Sequence, residues 1–261
     1  MSEGLLAGKR GLVMGVATSR SIAFGIARAT HSAGAELAFT AQNEKLRAKV
    51  AELTGDMNNL PVLECDVARE NAIAGTLATL DNHWPEGMDF IVHSLAAADP
   101  QDLEGPYFRV SEQGFRRALE ISCYSLTELA REALPRLRNG ASILTLSYLG
   151  AERAVPGYNI MGVAKAALEA SVRYLAADLG PHGVRVNAIS AGPVRSVSGA
   201  GISTGRFIYA HSAATAPLRH NPSPDSIGGS ALYLLSELSG AVTGEVHHVD
   251  GGFHSVAFGE K

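Results

Sequence analysis

Apolar positions along this chain follow two alternating rhythms. Short, nearly continuous apolar runs alternate with longer stretches in which apolar residues recur every three or four positions. The runs Gly11–Val16, Ala35–Thr40, Pro61–Val67, Asp89–Ser94, Ala141–Leu146, Val184–Ser190 and Gly244–Asp250 predict strands. The stretches Ile22–Ala33, Lys45–Leu53, Ala68–Leu80, 111–137, Tyr158–Leu179 and Pro224–Leu238 predict helices, with an interruption near Pro135. Strand and helix alternate without a compositional break or a proline- or serine-rich linker. That pattern predicts an α/β fold: a single-domain, Rossmann-type, doubly wound parallel sheet of about seven strands with helices on both faces. Residues 1–261 are read as one dinucleotide-binding and catalytic domain. The aperiodic segment 197–221, with Gly199, Gly201 and Gly205 close together, is read as a substrate lid containing some short helix.

Composition narrows the classes. The 261 residues are 46% hydrophobic and 18% charged, which suits a well-buried globular protein. A formal net charge of −4, with scattered basic residues, carries no footprint for nucleic acid. Cys65 and Cys123 are the only cysteines and make no disulfide framework, so a reducing compartment is expected. Met1 to Arg10 holds no apolar core of signal-peptide length, and no apolar stretch approaches a membrane span. A cytoplasmic protein with no membrane partner is expected. No H-E-x-x-H or paired Cys/His spacing points to a metal. Gly201-Ile202-Ser203-Thr204-Gly205 matches a hydrolase nucleophile pattern but lacks the preceding buried strand, so it is set aside. His93 is read as a hydrogen-bonded core histidine, and His247 and His248 as packing and surface.

Candidate chemistry gathers at the carboxyl ends of the predicted strands. Gly15 can take a tight turn after the first strand, and Ser21 lies near a helix N-terminus, where free N–H groups favour an anion. Gly25 is expected to let that helix pack close to the strand. The loop departs from the G-x-G-x-x-G fingerprint. Gln42 and Glu44 follow the second strand, where an adenosine ribose is met. Lysine and arginine come only at Lys45 and Arg47, which favours NADH over NADPH. Asp66 ends the third strand, placed to accept from an adenine amino group with Val67 covering the ring, or to cap the following helix. Ser94-Leu95-Ala96-Ala97-Ala98 is a small-residue loop suited to close ligand approach.

The central stretch runs from Ser147 through Tyr148 and Tyr158 to Lys165. Seven helical residues return to nearly the same face, so Tyr158 and Lys165 stand together, roughly 10 Å apart along the axis. That separation suits two groups holding different parts of one ligand. A tyrosine beside a cation suits a reaction that builds negative charge on a carbonyl oxygen, because the cation lowers the phenol pKa. The bland alternative is a half-buried helix tyrosine and a solvated lysine.

Several runs carry a family resemblance. They are Gly15-x5-Ser21-Ile22-Ala23-x-Gly25, Cys65-Asp66-Val67, His93-Ser94, Ser147 to Arg153, Tyr158-x6-Lys165, Arg185 to Pro193 and His248 to Phe253. With them the chain resembles the short-chain dehydrogenase/reductase superfamily and, within it, the bacterial NADH-dependent enoyl-[acyl-carrier-protein] reductases. The resemblance implies that Gly15, Ser21 and Ile22 line the NADH pyrophosphate, Gln42 meets the adenosine, and Asp66 and Val67 hold adenine. It implies that Ser94 and Leu95 pass the nicotinamide ribose and Lys165 grips the ribose hydroxyls. Val194, Arg195, Ser196, Val197 and Ser198 would close over the cofactor, and Ala98 would touch the acyl chain. Hydride would pass to C3 of a trans-2-enoyl thioester on acyl carrier protein, Tyr158 would stabilise the enolate, and Tyr148 would lie by the acyl chain or assist protonation. A homotetramer is implied. Ala96-Ala97 and Asp99 depart from the family's usual glycine, bulky residue and proline, so an Ala96 methyl is expected to crowd the pocket. A 3-oxoacyl or ketone reductase and a silent dinucleotide sensor are the alternatives.

Overall fold

A computed structural model describes residues 4–57, 60–195 and 204–257. Seven parallel strands form one sheet in the order β3-β2-β1-β4-β5-β6-β7. They are β1 (Arg10–Met14), β2 (Glu36–Ala41), β3 (Leu63–Glu64), β4 (Met88–His93), β5 (Leu137–Ser147), β6 (Arg185–Ala191) and β7 (Val246–Val249). The connecting helices are α1 (Ile22–Ser32), α2 (Glu44–Thr54), α3 (Ala72–Asp81), α4 (Glu112–Leu119), α5 (Ser125–Ala133), α6 (Asn159–Leu179), α7 (Gly205–Thr215) and α8 (Pro224–Leu235).

Strand periodicity sends alternate residues to opposite layers. In β1, Val13 enters the core built with α1, α2 and α8, while Leu12 and Met14 enter the core built with α3 and α5. In β5, Leu144 and Leu146 face the first layer, and Ala141 and Ile143 face a third cluster under α5 and α6. Both faces are therefore covered, which accounts for the nearly continuous apolar runs.

Four expectations need correction. The third strand is two residues long rather than seven; Pro61 lacks the N–H a ladder needs, and the pairing ends with Cys65 N–H donating to the Ala41 carbonyl. α3 begins at Ala72, because residues 67–71 turn and Asn71 takes a left-handed φ of 59° before the helix. Gly25 faces α8 rather than a strand: a Cβ there would collide with the Pro224 carbonyl, and one at Gly228 would press on the Gly25 carbonyl. The stretch 111–137 is also interrupted earlier than expected, by a π turn at Glu120–Tyr124.

Candidate active site

The strand order reverses direction between β1 and β4, the crevice where parallel sheets take ligands. Gly15 leaves β1 with φ +97°, and a Cβ there would collide with the Ser94 carbonyl beyond β4. Glycine is required because the two strand ends come this close. Ser94 N–H also donates to the Met14 carbonyl at 3.2 Å. Ser21 stands at the N-cap of α1, but its hydroxyl donates to the Thr18 carbonyl at 2.7 Å and no side chain caps the first turn. That turn carries no acidic residue, so the positive end of the helix is open to an anion. Ile22 packs against the first core cluster, as does Val194 from the loop after β6.

Along the crevice, Gln42 and Asp66 face Gln113, Arg117 and Glu120 across a cavity of about 650 Å³. Asp66 accepts from Ala68 N–H at 3.2 Å and so caps a turn rather than the following helix, whose N-cap is Asn71, and Arg69 lies 3.7 Å away. Val67 is half-buried against the second core cluster, as is Leu95. Arg47 is paired with Glu44 at 2.7 Å. A cradle without a side chain, an uncapped helix start and a polar cavity at the far end suit the pyrophosphate and adenosine of a dinucleotide.

At the other end, Tyr148 leaves β5 extended and enters a 3-10 turn, Leu149–Ala151. Tyr158 stands at the start of α6. Their rings meet edge to face, centroids 5.0 Å apart. Both belong to an apolar cluster with Leu103, Met161 and Ala98. Gly150 makes this possible, since a Cβ there would strike the Tyr158 ring. Tyr158 is 9% exposed, and burial, then Tyr148 and Glu169, push its phenol well above the ordinary value. Burial pushes Tyr148 up to about 12.

Lys165 is 5% exposed, and its Nζ donates to the Leu146 carbonyl at 2.7 Å. Burial pulls it down to about 8, with Cys123 and Glu169 opposing. The expected acidifying effect of the cation on Tyr158 is therefore overturned: the ammonium group is engaged by the strand, and the phenol is held neutral. His93 is the core histidine expected, its ring nitrogens 2.9 Å from Thr145 Oγ1 and 2.8 Å from Ser125 Oγ. Desolvation, aided by the Lys165 charge, lowers it to about 3.

Ala96 is exposed. Asp99 lies 4.0 Å from Arg117. The guanidinium of Arg195 sits over the Tyr209 ring of α7 at 4.8 Å. Ser196, Val197 and Ser198 lie outside the described residues, as does the start of the expected lid; its remainder holds α7. His248 does more than pack: it meets Glu152 at 2.7 Å and stacks on His254. Among the described residues no group of three metal-ligating side chains occurs.

Sequence reasoning passed over Ser122 and Glu169. Ser122, inside the π turn, takes Ala97 N–H at 3.0 Å and approaches the Ala97 carbonyl at 3.3 Å. π turns of this kind recur at functional sites. Glu169 accepts from the Ser147 hydroxyl. Neither signal is visible in spacing, because each joins residues more than twenty positions apart.

A doubly wound parallel sheet with an open helix start at its switch point and a Tyr/Lys-bearing helix beside it defines a dinucleotide-dependent reductase of the short-chain type. The model for the family described as Enoyl-(Acyl carrier protein) reductase matches residues 15–254. The chain belongs to that family. It is 50% identical over 258 residues to the enoyl-[acyl-carrier-protein] reductase [NADH] of Salmonella typhimurium, covering 98% of each chain. Its fold is similar to a reductase of Anaplasma phagocytophilum solved in complex with NAD, at TM-score 0.94 and 45% identity, covering 100% of this chain and 99% of that one. It is equally similar, at TM-score 0.94 and 45% identity, to the Bacillus cereus enoyl-acyl carrier protein reductase solved with NADP+ and an indole naphthyridinone, covering 98% of this chain and 100% of that one.

Proposed function

We propose that this protein reduces the C2–C3 double bond of trans-2-enoyl thioesters carried on acyl carrier protein, using NADH, in fatty-acid elongation. The observation that carries the reading is the edge-to-face Tyr148–Tyr158 pair in one apolar cluster with Ala98, with Lys165 on the helix that Tyr158 opens. Bound NADH would supply a hydride to C3 of the thioester, and a proton from solvent would then reach C2, so that the enolate becomes the saturated thioester. The chain's own residues do the rest. Gly15 and the start of α1 receive the pyrophosphate, Ser94 and Leu95 pass the nicotinamide ribose, and Gln42, Asp66 and Val67 receive the adenosine end. Lys165, whose ammonium group donates to the Leu146 carbonyl, would hold the ribose hydroxyls.

Tyr158 keeps its proton, because burial makes the phenolate costly. It therefore acts as a hydrogen-bond donor to the thioester oxygen as charge builds there in the enolate. Tyr148, packed edge-on, fixes the direction of that donor and borders the acyl chain with Ala98. Arg47, the arginine that follows Gln42, is held by Glu44, which supports NADH over NADPH. The segment 197–221, whose described part holds α7, is the substrate lid of a single 261-residue catalytic domain. The active form is a cytoplasmic homotetramer. No described helix is long and apolar enough to cross a membrane, and Cys65 and Cys123 are free.

The test is loss of NADH absorbance with a trans-2-enoyl thioester, repeated with NADPH. Rapid loss with NADH is expected. Turnover confined to a 3-oxoacyl thioester would overturn the reaction, and turnover confined to NADPH would overturn the cofactor. Light scattering on the eluted protein checks the tetramer.

A further inference from the structure

Two hydrogen bonds tie the end of β5 to one face of α6. Lys165 Nζ donates to the Leu146 carbonyl at 2.7 Å, and the Ser147 hydroxyl donates to the Glu169 carboxyl group. Lys165 and Glu169 stand four residues apart, one turn along the same helical face. Leu146 and Ser147 are consecutive on a strand, so their side chains point to opposite faces. One gives its backbone oxygen and the other its side chain, and both bonds therefore reach the same helix. The next residue is Tyr148. Whatever fixes Ser147 fixes where the first tyrosine of the pair leaves the sheet.

Glu169 is 7% exposed, on the helix face that also buries Leu168 and Val172. A packing role alone would be better served by an apolar side chain, since a buried carboxyl group is costly unless hydrogen-bonded. Beyond Ser147, the charged groups that interact with Glu169 are Glu152 and His248 from neighbouring elements, Arg173 one turn on and Lys165 one turn back. We propose that Glu169 is a positioning residue of the reductase: through Ser147, and in step with Lys165, it sets the direction in which Tyr148 leaves β5 and so the aim of the tyrosine pair. This rests on the function proposed above.

The experiment compares wild type, Ser147→Ala, Glu169→Gln, Glu169→Ala and the Ser147→Ala/Glu169→Ala double variant. Each is assayed for kcat and KM on a trans-2-enoyl thioester, for NADH Kd and for Tm. Misplacement of a reacting group costs up to about a hundredfold, so Ser147→Ala and Glu169→Ala are expected to lose roughly ten- to a hundredfold in kcat with NADH Kd unchanged. Glu169→Gln keeps an acceptor for Ser147 and is expected to stay within about threefold of wild type. The double variant should be no slower than the slower single one, because both remove the same bond. Should Glu169→Ala fail to fold, Ser147→Ala and Glu169→Gln still decide. Wild-type kcat in Ser147→Ala, losses that multiply in the double variant, or a rise in NADH Kd matching the fall in kcat would each overturn the proposal. A wild-type enzyme inert toward enoyl thioesters would overturn the reaction itself, a different result from variants that match an active wild type.

Discussion

Tyr158 and Lys165 share a helix but are held in opposite senses. The phenol is a neutral donor pushed above its ordinary range. The ammonium group is a cation close to losing its proton, pulled down to about 8. Tyr158→Phe removes one donor to the developing oxyanion, so kcat should fall about 10²- to 10³-fold with little change in NADH Kd. Lys165→Ala removes a charged donor and should weaken NADH binding by roughly ten- to a hundredfold before it touches kcat. Fluorescence titration separates the two. The Lys165 shift also sets a pH dependence. Below about 8 the ammonium form is present, and above it the donor charge is lost, so NADH Kd should stay flat below pH 8 and rise above it. A Lys165→Met variant should lack that rise. Stability runs the other way. The folded chain gives up this proton near pH 8 and the unfolded chain near the ordinary 10.5, so between those values the unfolded state binds more protons and stability grows with pH. A denaturant series at pH 8 and pH 10 reads that sign for Lys165 by its difference from Lys165→Met.

At the scale of elements, α1 is placed by its contact with α8 through Gly25 and Gly228. Gly25→Ala should overpack that seam, cost about 1–3 kcal/mol in chemical denaturation, and weaken NADH binding as the start of α1 shifts from the crevice. The elements themselves were legible in the sequence wherever one rhythm ran long enough. α6 begins within one residue of expectation, and β4 and β6 lie within one residue of their apolar runs, whereas β5 begins at Leu137, four residues before its run. Legibility failed where local patterning yields to a distant partner. Gly25 reads as a helix–strand spacer until Pro224 is seen beside it. Residues 120–124 keep an apolar spacing close to that of an α-helix, so the wider turn is not written in the periodicity. The candidate site divides likewise: Gly15, Gln42 and Asp66 stand out because each follows a strand, and Tyr158 because it opens a helix that carries Lys165 two turns on. Ser122 and Glu169 were missed because they act through residues far away in sequence.

For the molecule as a whole, the apolar pattern predicts a doubly wound sheet but leaves the pairing of strands to topology. The short-connection and right-handed crossover rules restrict the choice, and the observed order puts β1 beside the central strand β4, with Gly15 and Ser94 meeting at their ends. The same order leaves β3 and β7 on the margins. They are the shortest strands, with two and four residues. Brief margins present few open backbone groups on which another chain could build, so the sheet resists runaway growth by strand addition. Pro61 guards one margin. Pro61→Val would lengthen an apolar run through Val62 and Leu63 and restore a backbone donor. This variant should retain turnover but form fibrillar, dye-binding aggregates sooner under agitation than wild type.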